Sequence, residues 1–198
     1  MSEVLTRSGE RPGAIGPGRL VLVVGPSGAG KDTLMGLAKV ACADDANIVF
    51  PRRLITREAS ASEDNEQIGF DAFRQGLVQD AYAMHWEAHG HGYALPRAIE
   101  DDIRAGRTVI ANVSRTVIAE MRRAYAEVVV VSITAPANVL AQRIAARARG
   151  SDGNIAQRLS RTVDDLAAMP DATIMNVGSA DYHARQFVRI IRGERWDD

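Results

Sequence analysis

The sequence reads Gly25-Pro26-Ser27-Gly28-Ala29-Gly30-Lys31-Asp32 directly after an apolar run, Leu20–Val24, and directly before a segment that predicts a helix. A glycine-rich loop between a buried strand and a helix is typical of a phosphate-binding loop (P-loop), because its glycines let backbone N–H groups turn toward phosphate oxygens. The start of the helix adds the positive end of its dipole. We therefore predict that residues 25–33 bind a nucleoside triphosphate and that Lys31, which can reach the β- and γ-phosphates, is catalytic.

The residue after this lysine departs from the usual P-loop pattern. That position is normally Ser or Thr, whose hydroxyl holds Mg²⁺, but here it is Asp32, followed by Thr33. A carboxylate beside a triphosphate is repulsive unless a cation intervenes, and Mg²⁺ accepts one or two carboxylates together with waters and phosphate oxygens. Asp32 is therefore a candidate Mg²⁺ ligand. The alternative is that Asp32 only stabilises the start of the helix, where Asp is favoured, and both roles stay open.

Strands and helices are predicted to alternate along most of the chain, which indicates an α/β fold with a parallel sheet flanked by helices. Residues 57–94 differ in composition from the rest of the chain, because they are polar, rich in glycine and hold half of the aromatic residues, so they predict an inserted subdomain. The predicted strands are 19–24, one within 48–56, 108–113, 128–134 and 173–175. The predicted helices are 31–43, 96–104, 116–124, 136–147, 155–169 and 180–192.

Composition limits the class of protein. A chain of 198 residues is long enough for one α/β domain, and a net charge of −1 with a pI of about 6.4 gives no positive field for nucleic acid or an anionic membrane. Cys42 is the only cysteine, which excludes a disulfide framework and a cysteine-based zinc site. No apolar run is long enough to span a membrane, and residues 1–18 lack the apolar core of a signal peptide. We expect a flexible N-terminus, 1–18, on a cytoplasmic protein.

The P-loop alone does not decide among kinases, GTPases and other P-loop proteins. The N/TKxD signature by which GTPases read their base is absent, and the apolar run at 109–111 ends in Asn112 rather than in an acid. Phosphoryl transfer to a small acceptor is therefore favoured. Two arginine-bearing helices joined by a glycine-containing tip suit a lid that closes over the γ-phosphate, with a solvated basic face as the alternative. These arginines are Arg143, Arg147 and Arg158.

From about Leu20 to its end, the chain resembles the guanylate-kinase-like group of nucleoside monophosphate kinases. The matching features are the GPSGAGK loop, Ile55-Thr56-Arg57, Trp86, Tyr93, Arg143, Arg147, Gly150, Arg158-Leu159 and Asn176. The resemblance implies a kinase domain at 19–198, with an acceptor-binding insertion at about 57–94 and a lid at about 147–155. It implies that Arg57 grips an acceptor phosphate and that Arg147 and Arg158, as catalytic residues, touch the ATP phosphates. It also implies that Arg143 and Asn176 lie near the adenine.

Several positions depart together from the guanylate kinase pattern. The family segment T-T-R-x-P-R-x-G-E becomes Thr56-Arg57-Glu58-Ala59-Ser60-Ala61-Ser62-Glu63, so its second arginine is Ser60 here. The acid that reads guanine falls at His85, and the acidic pair after the central strand becomes Asn112 and Ser114. A site without those acids leaves the N–H donors of guanine unpaired, and we expect it to read guanine poorly.

These departures resemble a sister family, the ribose 1,5-bisphosphate phosphokinases. The shared features are Asp after the P-loop lysine, the R-x-I-T-R segment at 53–57, the tryptophan-containing insertion and the N-x-S-R segment at 112–115. The resemblance implies ATP-dependent conversion of ribose 1,5-bisphosphate to 5-phosphoribosyl 1-pyrophosphate (PRPP), in phosphonate degradation, with Mg²⁺. The predicted acceptor-binding residues are Arg53, Arg57, Trp86, Tyr93, Asn112, Ser114 and Arg115. We expect Arg115 to meet the second phosphate of the sugar.

The expected partners are ATP and a small sugar phosphate, without nucleic acid or membrane, and a homodimer is the candidate assembly. Two other functions remain. One is a guanylate or other nucleoside monophosphate kinase, which the departures at His85 and Asn112 disfavour. The other is a non-catalytic interaction module with a guanylate-kinase-like fold, which the intact Gly25, Gly30 and Lys31 disfavour.

A cluster of histidines lies in the predicted insertion, at His85, His89 and His91. A metal site is one interpretation, since histidine is a common ligand. The spacing fits no standard motif, and no cysteine assists. Polar contacts to the acceptor sugar, or plain surface positions, are therefore favoured.

Overall fold

The computed structural model describes residues 13–58, 64–147 and 169–194. Ser60, Gly150, Arg158, nearly all of the predicted lid and nearly all of the helix predicted at 155–169 lie outside these ranges, as does the side chain of Arg147. The strands are β1 (Ile15–Val24), β2 (Ile48–Val49), β3 (Arg53–Ile55), β4 (Asn65–Gln67), β5 (Tyr82–Ala88), β6 (His91–Pro96), β7 (Thr108–Asn112), β8 (Tyr125–Thr134) and β9 (Ala172–Met175). The helices are α1 (Lys31–Ala41), α2 (Phe70–Val78), α3 (Ile99–Arg104), α4 (Ile118–Ala124), α5 (Ala137–Arg147) and α6 (Ala180–Arg192).

The main sheet has five parallel strands in the order β2-β7-β1-β8-β9. The first strand, β1, is central, and Val21 is in register with Ile110 of β7 and Val129 of β8. Because the strands are parallel, the carboxyl ends of β1, β7 and β8 meet at one edge of the sheet. The P-loop leaves β1 at this edge, and Asn112 ends β7 beside it.

Helices cover both faces of the main sheet, which explains why β1 is apolar along its whole second half. Successive residues of a strand point to opposite faces. Leu20, Leu22 and Val24 belong to one buried cluster, which includes residues of α3 and α4. Val21 and Val23 belong to the other, which includes residues of α1, α5 and α6. The predicted α/β class, with a parallel sheet flanked by helices, is confirmed.

A second sheet of four strands, in the order β4-β3-β6-β5, contains most of the predicted insertion. Strand β3 pairs in parallel with β4 and antiparallel with β6, and β5 and β6 form a hairpin whose turn has positive φ at His89 and Gly90. Ile55, Trp86 and Tyr93 from this sheet share one buried cluster with the main sheet. The second sheet therefore shares a hydrophobic core with the main sheet, and it is held against the P-loop side of the domain by the same packing that stabilises β1.

Several element bounds differ from those that the sequence predicts. The strand predicted within 48–56 is two strands, β2 and β3, which lie in different sheets on either side of Pro51. The second sheet runs from 53 to 96, beyond the predicted 57–94 at both ends. Strand β1 begins at Ile15, so the end of the predicted flexible N-terminus belongs to the main sheet. Helix α3 begins at Ile99, because Pro96 pairs with Tyr82 and ends β6 instead of opening the helix.

None of the described helices is long and apolar enough to cross a membrane.

Tyr125, the first residue of β8, has a phenol that is buried without a hydrogen-bond partner in the described part of the chain. Burial raises the pKa of Tyr125 from its usual value of about 10 to about 12, and the nearby Glu100 carboxylate adds to this rise. A buried hydroxyl without a partner destabilises the folded state, because it has lost its hydrogen bonds to water.

We expect Tyr125→Phe to leave the melting temperature unchanged or to raise it at pH 7. Between pH 10 and pH 12 the unfolded chain releases the phenol proton and the folded chain keeps it, so the stability that depends on Tyr125 falls with rising pH. Tyr125→Phe has no phenol proton to release, so its stability relative to the unaltered protein should increase from pH 10 to pH 12. Thermal unfolding measures both effects. Tyr182→Phe, at an exposed phenol that accepts a hydrogen bond from Gln186, is the control, and an equal pH-dependent gain there would contradict the account.

Candidate active site

The P-loop follows β1 and turns at glycines that no other residue could replace without strain. Gly25, Gly28 and Gly30 all have positive φ, at 145°, 82° and 84°. A Cβ at Gly25 would collide with the Ile133 carbonyl oxygen of β8, and a Cβ at Gly30 would collide with the Asn176 side chain. The loop backbone therefore lies directly against two neighbouring strand ends. This close approach holds its N–H groups at the edge where the central strands end.

Lys31 lies over the P-loop, at the first position of α1. Its Nζ donates to the carbonyl oxygens of Gly25 at 2.8 Å and Pro26 at 3.0 Å. The ammonium group is thus held beside the loop where the phosphates of a nucleotide would lie.

Two side chains from outside the loop support it. The Asn176 amide, on a residue that is only 4% exposed, donates to the Ala29 carbonyl at 2.7 Å. The Arg143 guanidinium donates to the carbonyl oxygens of Asn176 at 3.0 Å and of Gly28 at 3.4 Å. Together they join α5 and the end of β9 to the P-loop. The Asn176 side chain, which the family resemblance places near the adenine, lies beneath the loop, because the end of β9 passes there.

Asp32 is the second residue of α1, and it does not cap the helix. The residue at the N-cap position is Gly30, and no side chain accepts a capping hydrogen bond there. The Asp32 carboxylate accepts instead from the Asn112 amide, with Nδ2 and Oδ1 3.4 Å apart. This removes the capping hydrogen bond as an explanation for Asp32, and its interaction with the helix dipole and its role as a Mg²⁺ ligand stay open.

A cleft of about 400 Å³ opens beside Asp32, between α1, the second sheet and the end of β7. Its polar lining residues are Asp32, Lys39, Arg53, Asp64, Asn65 and Asn112. The cleft is large enough for a small ligand, and the Arg53 guanidinium in its lining is a group that binds phosphate well.

Arg53 projects into this cleft from β3. Its guanidinium carbon lies 5.1 Å from the ring centre of Tyr93 and 6.0 Å from that of Trp86. The two rings are stacked 5.6 Å apart and nearly parallel, which gives the guanidinium a flat aromatic support. Its Nε donates to the Asn65 side chain at 3.3 Å, and its Nη1 donates to the Asn112 carbonyl at 3.3 Å. Arg53 thereby connects the second sheet to the end of β7.

Charged residues that the sequence does not single out close one side of the cleft. Lys39 of α1 and Arg52 both pair with Asp64. The hydrogen bond from Lys39 lowers the pKa of the Asp64 carboxyl below its usual value, and Arg52 adds to this shift. Asn65, the next residue, is buried and accepts from Arg53. No motif marks these positions, because the contact is made across the fold by residues far apart in sequence.

Two curated proteins are similar in sequence to this chain over more than nine-tenths of its length. The ribose 1,5-bisphosphate phosphokinase PhnN of Bradyrhizobium diazoefficiens is 66% identical over 196 residues, which cover 99% of each chain. The protein of the same name from Rhodopseudomonas palustris is 64% identical over 181 residues, which cover 91% of this chain and 92% of that one.

This chain belongs to the ribose 1,5-bisphosphate phosphokinase family. No family model matches it. Among solved structures, guanylate kinase from Anaplasma phagocytophilum aligns with a TM-score of 0.61 at 20% identity, over 89% of this chain and 85% of that one. The sequence-based assignments to this kinase family and to the guanylate-kinase-like fold are therefore confirmed.

On the donor side the structure brings together Lys31, Arg143 and Asn176, and on the acceptor side it brings together some of the predicted residues. Trp86 and Tyr93 are only 7% and 9% exposed, so they reach the cleft through Arg53 rather than by their own surfaces. The Ser114 hydroxyl accepts from both the backbone N–H and the hydroxyl of Thr116, and so starts the turn that carries Arg115. Arg57 follows β3 and donates to the Glu58 carbonyl at 3.0 Å.

The predicted histidine cluster does not converge. His85 alternates with Trp86 along β5 and so points away from the face that carries Arg53. His89 lies in the exposed turn of the hairpin, and His91 is opposite Ala88. In the described ranges, no group of three or more His, Cys, Asp or Glu residues is arranged to hold a metal ion.

We expect Asn176→Ala to destabilise the fold by about 1–3 kcal/mol, because the buried Ala29 carbonyl would lose its hydrogen bond. ATP binding should weaken in parallel, since the P-loop loses support. Urea unfolding and ATP titration measure the two effects, and Asn138→Ala, at an exposed residue of α5, is the control. Weaker ATP binding at unchanged stability would contradict this role and favour the direct nucleotide contact that the resemblance implies.

Proposed function

We propose that this protein transfers the γ-phosphoryl group of ATP to ribose 1,5-bisphosphate and releases PRPP and ADP. The observation that carries the proposal is the 66% identity, over 99% of both chains, to a protein named for this activity. The site agrees with it, because an intact P-loop lies beside a cleft that presents the Arg53 guanidinium to an anionic acceptor. A place in phosphonate degradation follows from the same family relation.

The reaction needs positioning and charge neutralisation more than acid–base catalysis. The attacking atom is a phosphate oxygen of the sugar, which is already anionic at neutral pH. It forms a bond to the γ-phosphorus while the bond from that phosphorus to the β,γ-bridging oxygen breaks, and ADP keeps the electron pair. No proton must be removed, so residues that hold the two anions in line supply the catalysis.

On the donor side, the P-loop N–H groups and Lys31 would bind the β- and γ-phosphates. The position of Lys31 above the loop supports this role, and Arg143 keeps the loop in place from α5. Arg147 and Arg158 are assigned to the ATP phosphates on the family resemblance, and the lid at about 147–155 rests on the same ground.

The residues beside the P-loop fit Mg²⁺. This ion is bound in kinases by one or two carboxylates together with waters and phosphate oxygens, so it does not need a preformed cluster of protein ligands. Asp32 presents one carboxylate at the cleft, next to Lys31, and would hold the ion. When bound, Mg²⁺ neutralises negative charge on the β- and γ-phosphates. Thr33, whose side chain follows in the exposed part of α1, is the alternative contact.

On the acceptor side, arginines from three segments would hold the sugar bisphosphate. Arg53 lies in the cleft, Arg57 follows β3, and Arg115 begins the turn after β7. The Arg115 side chain makes no hydrogen bond or ion pair within the described ranges, which supports a role at the second phosphate. A cytoplasmic location and a homodimer remain predictions.

The acceptor assay tests the proposed function. ADP release is measured with ATP and each of three acceptors: ribose 1,5-bisphosphate, GMP and AMP. We expect turnover with the sugar bisphosphate and little with either nucleotide. Turnover with GMP alone would establish a guanylate kinase instead. ATP binding without turnover on any of the acceptors would support the non-catalytic module.

Removal of the Arg115 side chain should weaken acceptor binding selectively. We expect Arg115→Ala to raise the KM for ribose 1,5-bisphosphate about tenfold or more, because a charged hydrogen bond to phosphate is lost, and to leave the KM for ATP within about twofold. Initial-rate kinetics with each substrate varied in turn measure this. Arg123→Ala, at an exposed arginine of α4, is the matched control. An unchanged KM for the bisphosphate would remove Arg115 from the acceptor site.

A further inference from the structure

Asp32 and Asn112 come from different elements and meet beside the cleft. Asn112 ends β7, in register with Val23 of β1, and Asp32 lies one residue after the P-loop lysine. The Asn112 Nδ2 and Asp32 Oδ1 atoms are 3.4 Å apart, and both residues line the same cleft. The contact crosses 80 positions of sequence.

The chemistry of the two groups fixes the orientation of the Asn112 amide. An ionised carboxylate only accepts hydrogen bonds, so the amide must turn its NH₂ toward Asp32, and its carbonyl oxygen there would be repulsive. The backbone of Asn112 is anchored too, because its carbonyl accepts from Arg53 at 3.3 Å. A residue held at both its backbone and its side chain is suited to fixing the direction of its partner.

The Asp32 carboxylate has acceptor positions that the Asn112 amide does not occupy. Apart from the contact with Asn112, the Asp32 carboxylate makes no hydrogen bond or ion pair within the part of the chain that the structure describes. One oxygen is therefore held and the other is available at the cleft. Asn112, by contrast, has its donor group directed at Asp32 rather than at a ligand.

We propose that Asn112 is a positioning residue for Asp32, and that it acts on the metal–nucleotide substrate through this carboxylate rather than by contacting the acceptor sugar. The assignment rests on the proposed function only in taking MgATP as the donor. It changes the role of Asn112 from the acceptor contact that the sequence predicts to support of the donor site.

A double-mutant cycle distinguishes a role of Asn112 in positioning Asp32 from a role in contacting the acceptor sugar. The variants are Asn112→Ala, Asp32→Asn and the combination of both. The matched control is Asn47→Ala, at an exposed residue just before β2 and near the start of β7, at the end of the sheet away from the P-loop. Binding of MgATP is measured by calorimetry without any acceptor, and the acceptor KM is measured separately. Thermal unfolding checks that each variant is folded, and Asn112→Leu replaces Asn112→Ala if the latter is not.

We expect Asn112→Ala to weaken MgATP binding by about threefold to tenfold, because the hydrogen bond to a charged group is lost. In the Asp32→Asn background the same substitution should change the affinity by less than about twofold, since Asn112 then has no carboxylate to position. The acceptor KM should stay within about twofold of the unaltered protein in Asn112→Ala.

Two results would overturn the proposal. One is a raised acceptor KM in Asn112→Ala with unchanged MgATP affinity, which would make Asn112 an acceptor contact. The other is an equal loss of MgATP affinity in both backgrounds, which would make the two residues independent. The calorimetry contains no acceptor, so it decides the role of Asn112 even if the unaltered protein fails to phosphorylate ribose 1,5-bisphosphate, a result that would reject the proposed function alone.

Discussion

The close approach of the P-loop backbone to its neighbours is the constraint on which the site depends. Gly25 lies against the carbonyl of Ile133 and Gly30 against the Asn176 side chain, so the loop fits only while β8 and the end of β9 are in place. Arg143 then ties α5 to the same loop. The geometry of the P-loop thus depends on β8, on the end of β9 and on α5.

The second sheet, which lines the cleft, is joined to the P-loop region by packing and by polar contacts. The second sheet shares a buried cluster with β1, and Arg53 reaches from it to the backbone of Asn112 at the end of β7. The Asn112 side chain in turn contacts Asp32 on α1. A continuous chain of contacts therefore runs from the aromatic pair under Arg53 to the residue beside the P-loop lysine. These contacts fix the P-loop and the cleft relative to each other.

Local signals in the sequence predict the fold, and the position of the P-loop between β1 and α1, well. The apolar run before Gly25, the glycine spacing and the β-branched run at 128–134 carry their own structural meaning, and α6 has the predicted bounds. Long-range contacts could not be predicted. Asp32 and Asn112 stand out separately in the sequence, but nothing in it shows that they touch. The burial of Trp86 could not be predicted either, because it depends on the second sheet packing against β1.

The most direct test of the account is the identity of the bond that the enzyme makes. ³¹P NMR of the reaction with ATP and ribose 1,5-bisphosphate should show, besides ADP, a second diphosphate with two mutually coupled phosphorus signals, together with an unchanged sugar phosphate monoester. ADP with inorganic phosphate, and no new diphosphate on the sugar, would contradict transfer to a phosphate oxygen and with it the central claim.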